Sequence, residues 1–243
     1  MKNYVSTIII GIVVLITAII FGNAYKYKFI SSETIVVTGL SEKDFISDQI
    51  VWKGSFTRIG FDLKQAYTII KDDELTIKNY LKTKGIPDSS IIFSAIDVQK
   101  NFQAEFDASG RNTKSVFSGY TLTGEVKVDS RNISLVEKIS REVTELLQKG
   151  IEFNSLKPAY YYSKLNELKI DLLAKAAEDG KLRAETIAKS SSANLGSLKK
   201  ATMGVFQITG KNDNENYSYG GSFNTSSKEK TASITLRVEY QAN

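Results

Sequence analysis

The chain has 243 residues, of which 42% are hydrophobic and 24% charged, with a formal net charge of +5. That balance fits one or two ordinary folded domains and excludes both a disordered polymer and a polytopic membrane protein. There is no cysteine and no histidine. Disulfide frameworks, thiolate or imidazole metal sites, cysteine nucleophiles and Ser-His-Asp triads are therefore excluded, and no side chain titrates near neutrality at its ordinary pKa.

The N-terminus carries the first element. Residues 5–22 (VSTIIIGIVVLITAIIFG) contain no charge; as a helix they reach roughly 27 Å, against a hydrocarbon core of about 30 Å. Tyr4, Tyr25 and Tyr27 stand where interfacial aromatics hold a span. An uncleaved transmembrane anchor is expected, with the membrane as partner through residues 5–22. A signal peptide cut before Tyr25, after the small residues Gly22 and Ala24, is the competing reading. The expected boundaries are an anchor or signal segment over 1–24, a connector over 25–33 and one folded domain over 34–243. Lys2 is the only charge in residues 1–22, so the remainder carries +4. Its lysines and arginines alternate with acids, as in Lys71-Asp72-Asp73-Glu74, and form no basic stripe; no nucleic-acid partner is expected.

From residue 34 onward, patterns of period 2 and period 3.6 alternate. Residues 34–38 (TIVVT) and 50–59 (IVWKGSFTRI) read as strands. Asp62 and Gln65 form a capping box, followed by Leu63, Tyr67, Ile70, Ile77 and Leu81 at helical spacing up to Gly85 and Pro87. Residues 91–106 read as a strand ended by a turn at 107–110. In the next strand Tyr120, Leu122, Gly124, Val126 and Val128 alternate with polar residues, which marks a half-buried antiparallel sheet. Ile133, Val136, Ile139, Val143, Leu146 and Leu147 give a second amphipathic helix closed by Gly150, and 151–162 is extended. A long Ala- and Lys-rich helix runs from 163 to about 194, followed by strands near 201–209 and 231–240 with a polar segment, 211–230, between them. The expected fold is α+β: a mostly antiparallel sheet covered by three helices, preceded by one transmembrane helix.

Candidate chemistry is sparse. No phosphate-binding glycine loop occurs. Ser190, Ser191 and Ser192 beside Lys189 fall at a helix end, where serines serve as solvated or capping residues. Asp72, Asp73 and Glu74 are consecutive on a helix and point about 100° apart, with Glu74 on the apolar side. Asn212 to Glu215 lacks the spacing of a calcium loop. Tyr160, Tyr161 and Tyr162 read as an edge strand with alternate rings in the core rather than a stacking platform. No catalytic residue, cofactor or metal ligand is assigned. The interaction candidates are Tyr217, Tyr219 and Phe223, aromatics of the kind enriched at interfaces, on a segment whose removal over 213–226 is expected to leave the fold intact.

Ala176-Ala177-Glu178-Asp179-Gly180-Lys181-Leu182-Arg183-Ala184-Glu185-Thr186-Ile187-Ala188, followed by Leu195-Gly196-Ser197-Leu198, resembles the A-x-x-D-A-x-x-K-A-x-x-L-A…L-G-x-[LV] helix of the SIMPL-domain family. Residues 34–39 (TIVVTG) resemble that family's opening strand, Gly119-Tyr120 its middle strand, and 232–240 its closing strand. Ser47-Asp48 stands where the family usually has Pro-Asp, and Gly180 where alanine is commoner. The resemblance implies a bacterial envelope protein, anchored in the inner membrane with its domain in the periplasm or secreted there if cleaved. It also implies a link to tolerance of oxidants, homo-oligomers in some members and no agreed catalytic residues. The expected function is a non-catalytic, self-associating scaffold with an unknown envelope partner; the alternative is a binding module for a small envelope ligand such as a glycan or metal.

Overall fold

The computed structural model describes residues 2–30, 33–106, 108–110, 112–213 and 218–242, with side chains of the first helix described from Ile8 to Lys26. Helix α1 spans Lys2–Ile30, so residues 25–30, read above as connector, continue it. Its stretch Ile8–Lys26 is entirely unburied and is long and apolar enough to cross a membrane. An anchor and a signal sequence meet that description equally.

The remaining elements follow in chain order: β1 (Thr34–Ile46), β2 (Gln49–Gly60), α2 (Leu63–Thr83), β3 (Ile91–Phe93), β4 (Asp97–Phe106), β5 (Asn112–Ser130), α3 (Ile133–Glu142), β6 (Phe153–Ser155), β7 (Ala159–Tyr161), α4 (Leu165–Ser190), β8 (Leu195–Met203), β9 (Gln207–Gly210) and β10 (Glu229–Ala242). They build two antiparallel sheets rather than one. In the first, β10 is central, with β1 on one edge and both β8 and β9 on the other. In the second, β2 and β5 are paired centrally, β3 and β4 flank β5, and β6 and β7 flank β2.

Each sheet has its own core. Helices α2 and α3 and the 3-10 turn Val143–Lys149 cover the second sheet, burying Trp52, Phe56, Ile70, Ile77, Leu81, Leu122 and Val126. Among the described residues, α4 is the helix that covers the first, against Val37, Ile234, Leu236 and Val238. The second sheet and its helices form an insertion between β1 and α4. The chain crosses between the layers at Ser47–Asp48 and again at Tyr162–Lys164.

Several elements form as their sequence dictates. The Asp62 carboxylate accepts from the Gln65 amide at 2.8 Å and caps α2, and Gly85 takes φ +99° just past its end. Along β5 the expected alternation holds, with Leu122, Gly124, Val126 and Val128 buried. Other expectations are corrected. Leu63, Tyr67 and Leu147 are exposed, and the buried acid of α2 is Asp73, not Glu74, which pairs with Lys71 at 2.6 Å. The strand expected over 91–106 is two strands, interrupted at 94–96. The strand expected near 201–209 is also two, because the chain breaks at 204–206 between β8 and β9. Helix α4 ends at Ser190, where Ser192 adopts φ +56°.

Candidate interaction surfaces

The residues singled out in the sequence make structural contacts. In α4, Ala176, Gly180, Ala184 and Ala188 recur at every fourth position and are all buried. This stripe lets α4 lie directly on β1: a Cβ at Gly39 would come within 2.0 Å of the Ala176 carbonyl oxygen and 2.6 Å of the Gly180 nitrogen. Asp179, one turn from Arg183 and paired with it at 2.8 Å, accepts the Leu40 amide at 2.8 Å. The most recognisable stretch of the sequence is thus a helix-to-strand joint.

The same holds elsewhere. Asp73 is held by Arg58 of β2, with Nη2 to Oδ1 at 2.8 Å. The Ser190 hydroxyl donates to the Thr186 carbonyl at 2.9 Å, as a solvated helix-end serine does. Tyr160 and Tyr162 pack against different cores, the former on the second sheet and the latter on the first. Burial pushes the Tyr160 phenol up, aided by the hydrogen bond it donates to the Glu137 carboxylate at 3.0 Å. Asp213 accepts from the Ser227 hydroxyl, while Asn214 and Glu215 lie outside the described residues. Among the described residues no group of three acids is placed to hold a metal ion.

Of the interaction candidates, Tyr217 lies outside the described residues. Tyr219 and Phe223 are exposed, and the segment bearing them is tied down rather than draped. Buried Gln207 donates to the Ser218 carbonyl at 2.9 Å and accepts from the Ser222 amide at 2.7 Å. Phe223 bridges Ile208 of β9, and buried Lys230 donates to the Asn224 carbonyl at 2.6 Å. Excising 213–226 would strip these partners, so the loop is not the separable decoration its composition suggests. Tyr219 stands on the rim of a groove of about 490 Å³ lined by Leu40, Val205, Ile234 and Ser233, with Gln207 at its side.

A second surface was not singled out by the sequence reading. Strands β4 and β5 extend past the body of their sheet as a two-stranded arm: β5 pairs with β2 only from Tyr120 onward, while its pairing with β4 reaches Asn112. One side of this arm is aromatic. Phe117 contacts Tyr120, Phe102 and Phe61 with ring centroids 5.1, 6.0 and 5.8 Å apart, and Phe61, Phe102 and Phe106 are 59–71% exposed. The other side is polar, with Glu105 opposite Lys114 and Asn101 donating to Thr121 at 2.7 Å. Tyr120 packs on the core beneath α2 and α3, so the aromatic side continues the sheet's buried face into solvent. The signal for it was present: Phe102, Ala104 and Phe106 repeat at period 2, a pattern that does not distinguish a face covered by the same chain from one left open.

A family model named SIMPL, described as a protein of unknown function, matches residues 35–242. No curated protein matches the chain.

Proposed function

The chain belongs to the SIMPL family, and from that premise we propose a membrane-anchored, extracytoplasmic protein that protects the envelope by self-association rather than by catalysis. The observation that supports this most directly is the aromatic side of the β4–β5 arm. Isolated two-stranded ribbons are marginally stable in water, and a patterned face of phenylalanines gains its stabilisation only when covered. Sequence adds a second support: histidine, the commonest general base near neutral pH, and cysteine are absent. The test is light scattering coupled to size exclusion on the detergent-solubilised chain. A species of several protomers is expected at micromolar concentration, and a monomer of 27.0 kDa at high concentration would remove the reading.

The groove beside Tyr219 favours a second reading, a site for a small ligand with one apolar face, such as a glycan stacked on the tyrosine. Titration with glycan fragments followed by tyrosine fluorescence separates the two: saturable binding abolished by Tyr219→Ala supports the ligand site.

A further inference from the structure

We propose that β4 is a self-pairing edge, through which two copies of this chain join their arms across a twofold axis at Phe102. This rests on the self-association reading and specifies its contact. Strand β4 is ten residues long and pairs on one side with β5; among the described residues its other edge makes no backbone pairing. Natural edges are commonly blunted by proline, by a bulge, by shortness or by charge, lysine above all. Of these devices β4 carries charge alone, Lys100 on its aromatic side and Asp97 and Glu105 on the other; it has no proline, and both register shifts of the ribbon, beside Asn101 and beside Glu105, place the extra residue on β5.

An open edge of this length selects its occupant. Lipid cannot cover it, since unpaired backbone N–H and C=O groups have no partner in hydrocarbon. An antiparallel strand can, and among the twofold registers that set no like charges opposite within β4, one overlaps the most of the strand: nine residues with the axis at Phe102, against five with it at Ala104. Residues opposite one another across a twofold antiparallel pair share a face, so the two numbers must sum to an even value. With the axis at Phe102, Phe102 meets Phe102 of the second copy, Val98 meets Phe106, Lys100 meets Ala104, and on the polar side Gln99 meets Glu105 and Asn101 meets Gln103. Across the nine overlapping residues, 98–106, no like charges oppose; Lys100, the one charge on the aromatic side, stands against the small Ala104 rather than a ring, and Asp97 is left outside the overlap. Moving the axis to Lys100 sets lysine against lysine; moving it to Asn101 or Gln103 sets Lys100 against Phe102 or Phe106. The twofold keeps both aromatic sides on one face of the resulting four-stranded sheet, merging two exposed rows into one. Tethering copies to one membrane raises their local concentration and favours the encounter.

Because the natural chain has no cysteine, single cysteines report the register directly. Opposed residues lie about 4.5–5.5 Å apart at Cα, within disulfide range, whereas two copies of a residue two places off the axis are separated by roughly 13 Å along the strand. In the full chain in detergent, Phe102→Cys should oxidise to a covalent dimer in most molecules. Lys100→Cys and Ala104→Cys should each cross-link poorly alone, and at least fivefold better when mixed. Trp52 fluorescence confirms that each variant is folded, since that ring lies in the core away from the arm. If the natural chain associates by light scattering but Phe102→Cys does not cross-link, or cross-links no better than Lys100→Cys alone, the β4 contact is overturned while self-association stands. A monomeric natural chain overturns both.

Discussion

The Asp48 carboxylate accepts two hydrogen bonds from Ser163, one from the backbone amide at 2.7 Å and one from the hydroxyl at 2.5 Å, across 115 residues of sequence. These residues sit on the two strands of chain that pass between the sheets, and neighbouring backbone bonds complete the joint: the Asp48 amide donates to Tyr161, and the Ser47 amide to Lys228. The inserted second sheet is thereby fastened to the first at both crossings by one side chain.

Asp48→Ala should therefore lower stability by about 1–3 kcal/mol, because it leaves the Ser163 donors without their acceptor. Denaturant titration at pH 7 checks this. Burial pushes the Asp48 carboxyl up, but the Ser163 hydroxyl, the backbone amides and the charge of Arg131 outweigh it, leaving the group below its ordinary value. The contribution is thus complete above the unfolded pKa near 4 and lost as pH falls through the lower folded value. The difference between natural chain and variant should shrink on acidification below about pH 4; a difference that instead grew there would contradict the assigned role.

Gly39→Ala should cost several kcal/mol, since the new methyl meets backbone atoms of α4 that cannot move alone. Gly180→Ala is the informative contrast. Its Cβ would meet the terminal Val238 methyl at 3.0 Å and the Gly39 nitrogen at 3.5 Å, and the gain in helix propensity, about 1 kcal/mol, offsets a small shift of that valine. Thermal melts should rank Gly39→Ala far below Gly180→Ala, with the latter within about 1 kcal/mol of the natural chain.

Removing Asp73 strands Arg58, whose side chain is largely covered in the cleft between β2 and α2. Asp73→Ala should cost about 1–3 kcal/mol, and the double variant Asp73→Leu, Arg58→Met less than Asp73→Ala alone. A double-mutant cycle in urea measures the coupling, and a coupling of zero would show that the pair contributes nothing.

The α1 span should hold the full chain in membranes through alkaline carbonate extraction, because ~18 apolar residues confer more transfer energy than peripheral contact. N-terminal sequencing of the mature protein decides between anchor and signal: a start at Tyr25 would make the segment a cleaved leader.

Local patterns carried much of the fold. The β5 alternation, the Asp62 cap and the Gly85 stop were readable because each is set within a few residues. The division into two sheets was not, because it depends on partners chosen at long range: TIVVT extends to Ile46 only because β10 pairs it along its full length. Strands β8 and β9 read as one because both lie on the same edge of β10, and they separate where residues 204–206 stand opposite only 234–235 of β10, so that the pairing shifts register by one residue. Asp73 and Glu74 exchanged roles because which of two adjacent acids turns inward depends on Arg58, fifteen residues upstream on another element. The aromatic candidates of the 211–230 segment were partly placed, but the hydrogen bonds of Gln207 and Lys230 that hold it lie outside any local pattern.

The insertion of the second sheet between β1 and α4 also sets an order of events for a chain that emerges N-terminus first. Everything the second sheet requires is present once Tyr161 has appeared, whereas Thr34 must wait for Gln241, its partner at the far end of β10. The entropy of closing so long a segment grows only logarithmically, so the delay bears on rate more than on final stability. Trp52 should consequently report an early refolding phase, complete before the amides of β1 gain protection from hydrogen exchange, and in the interval β1 is a bare strand in need of shelter.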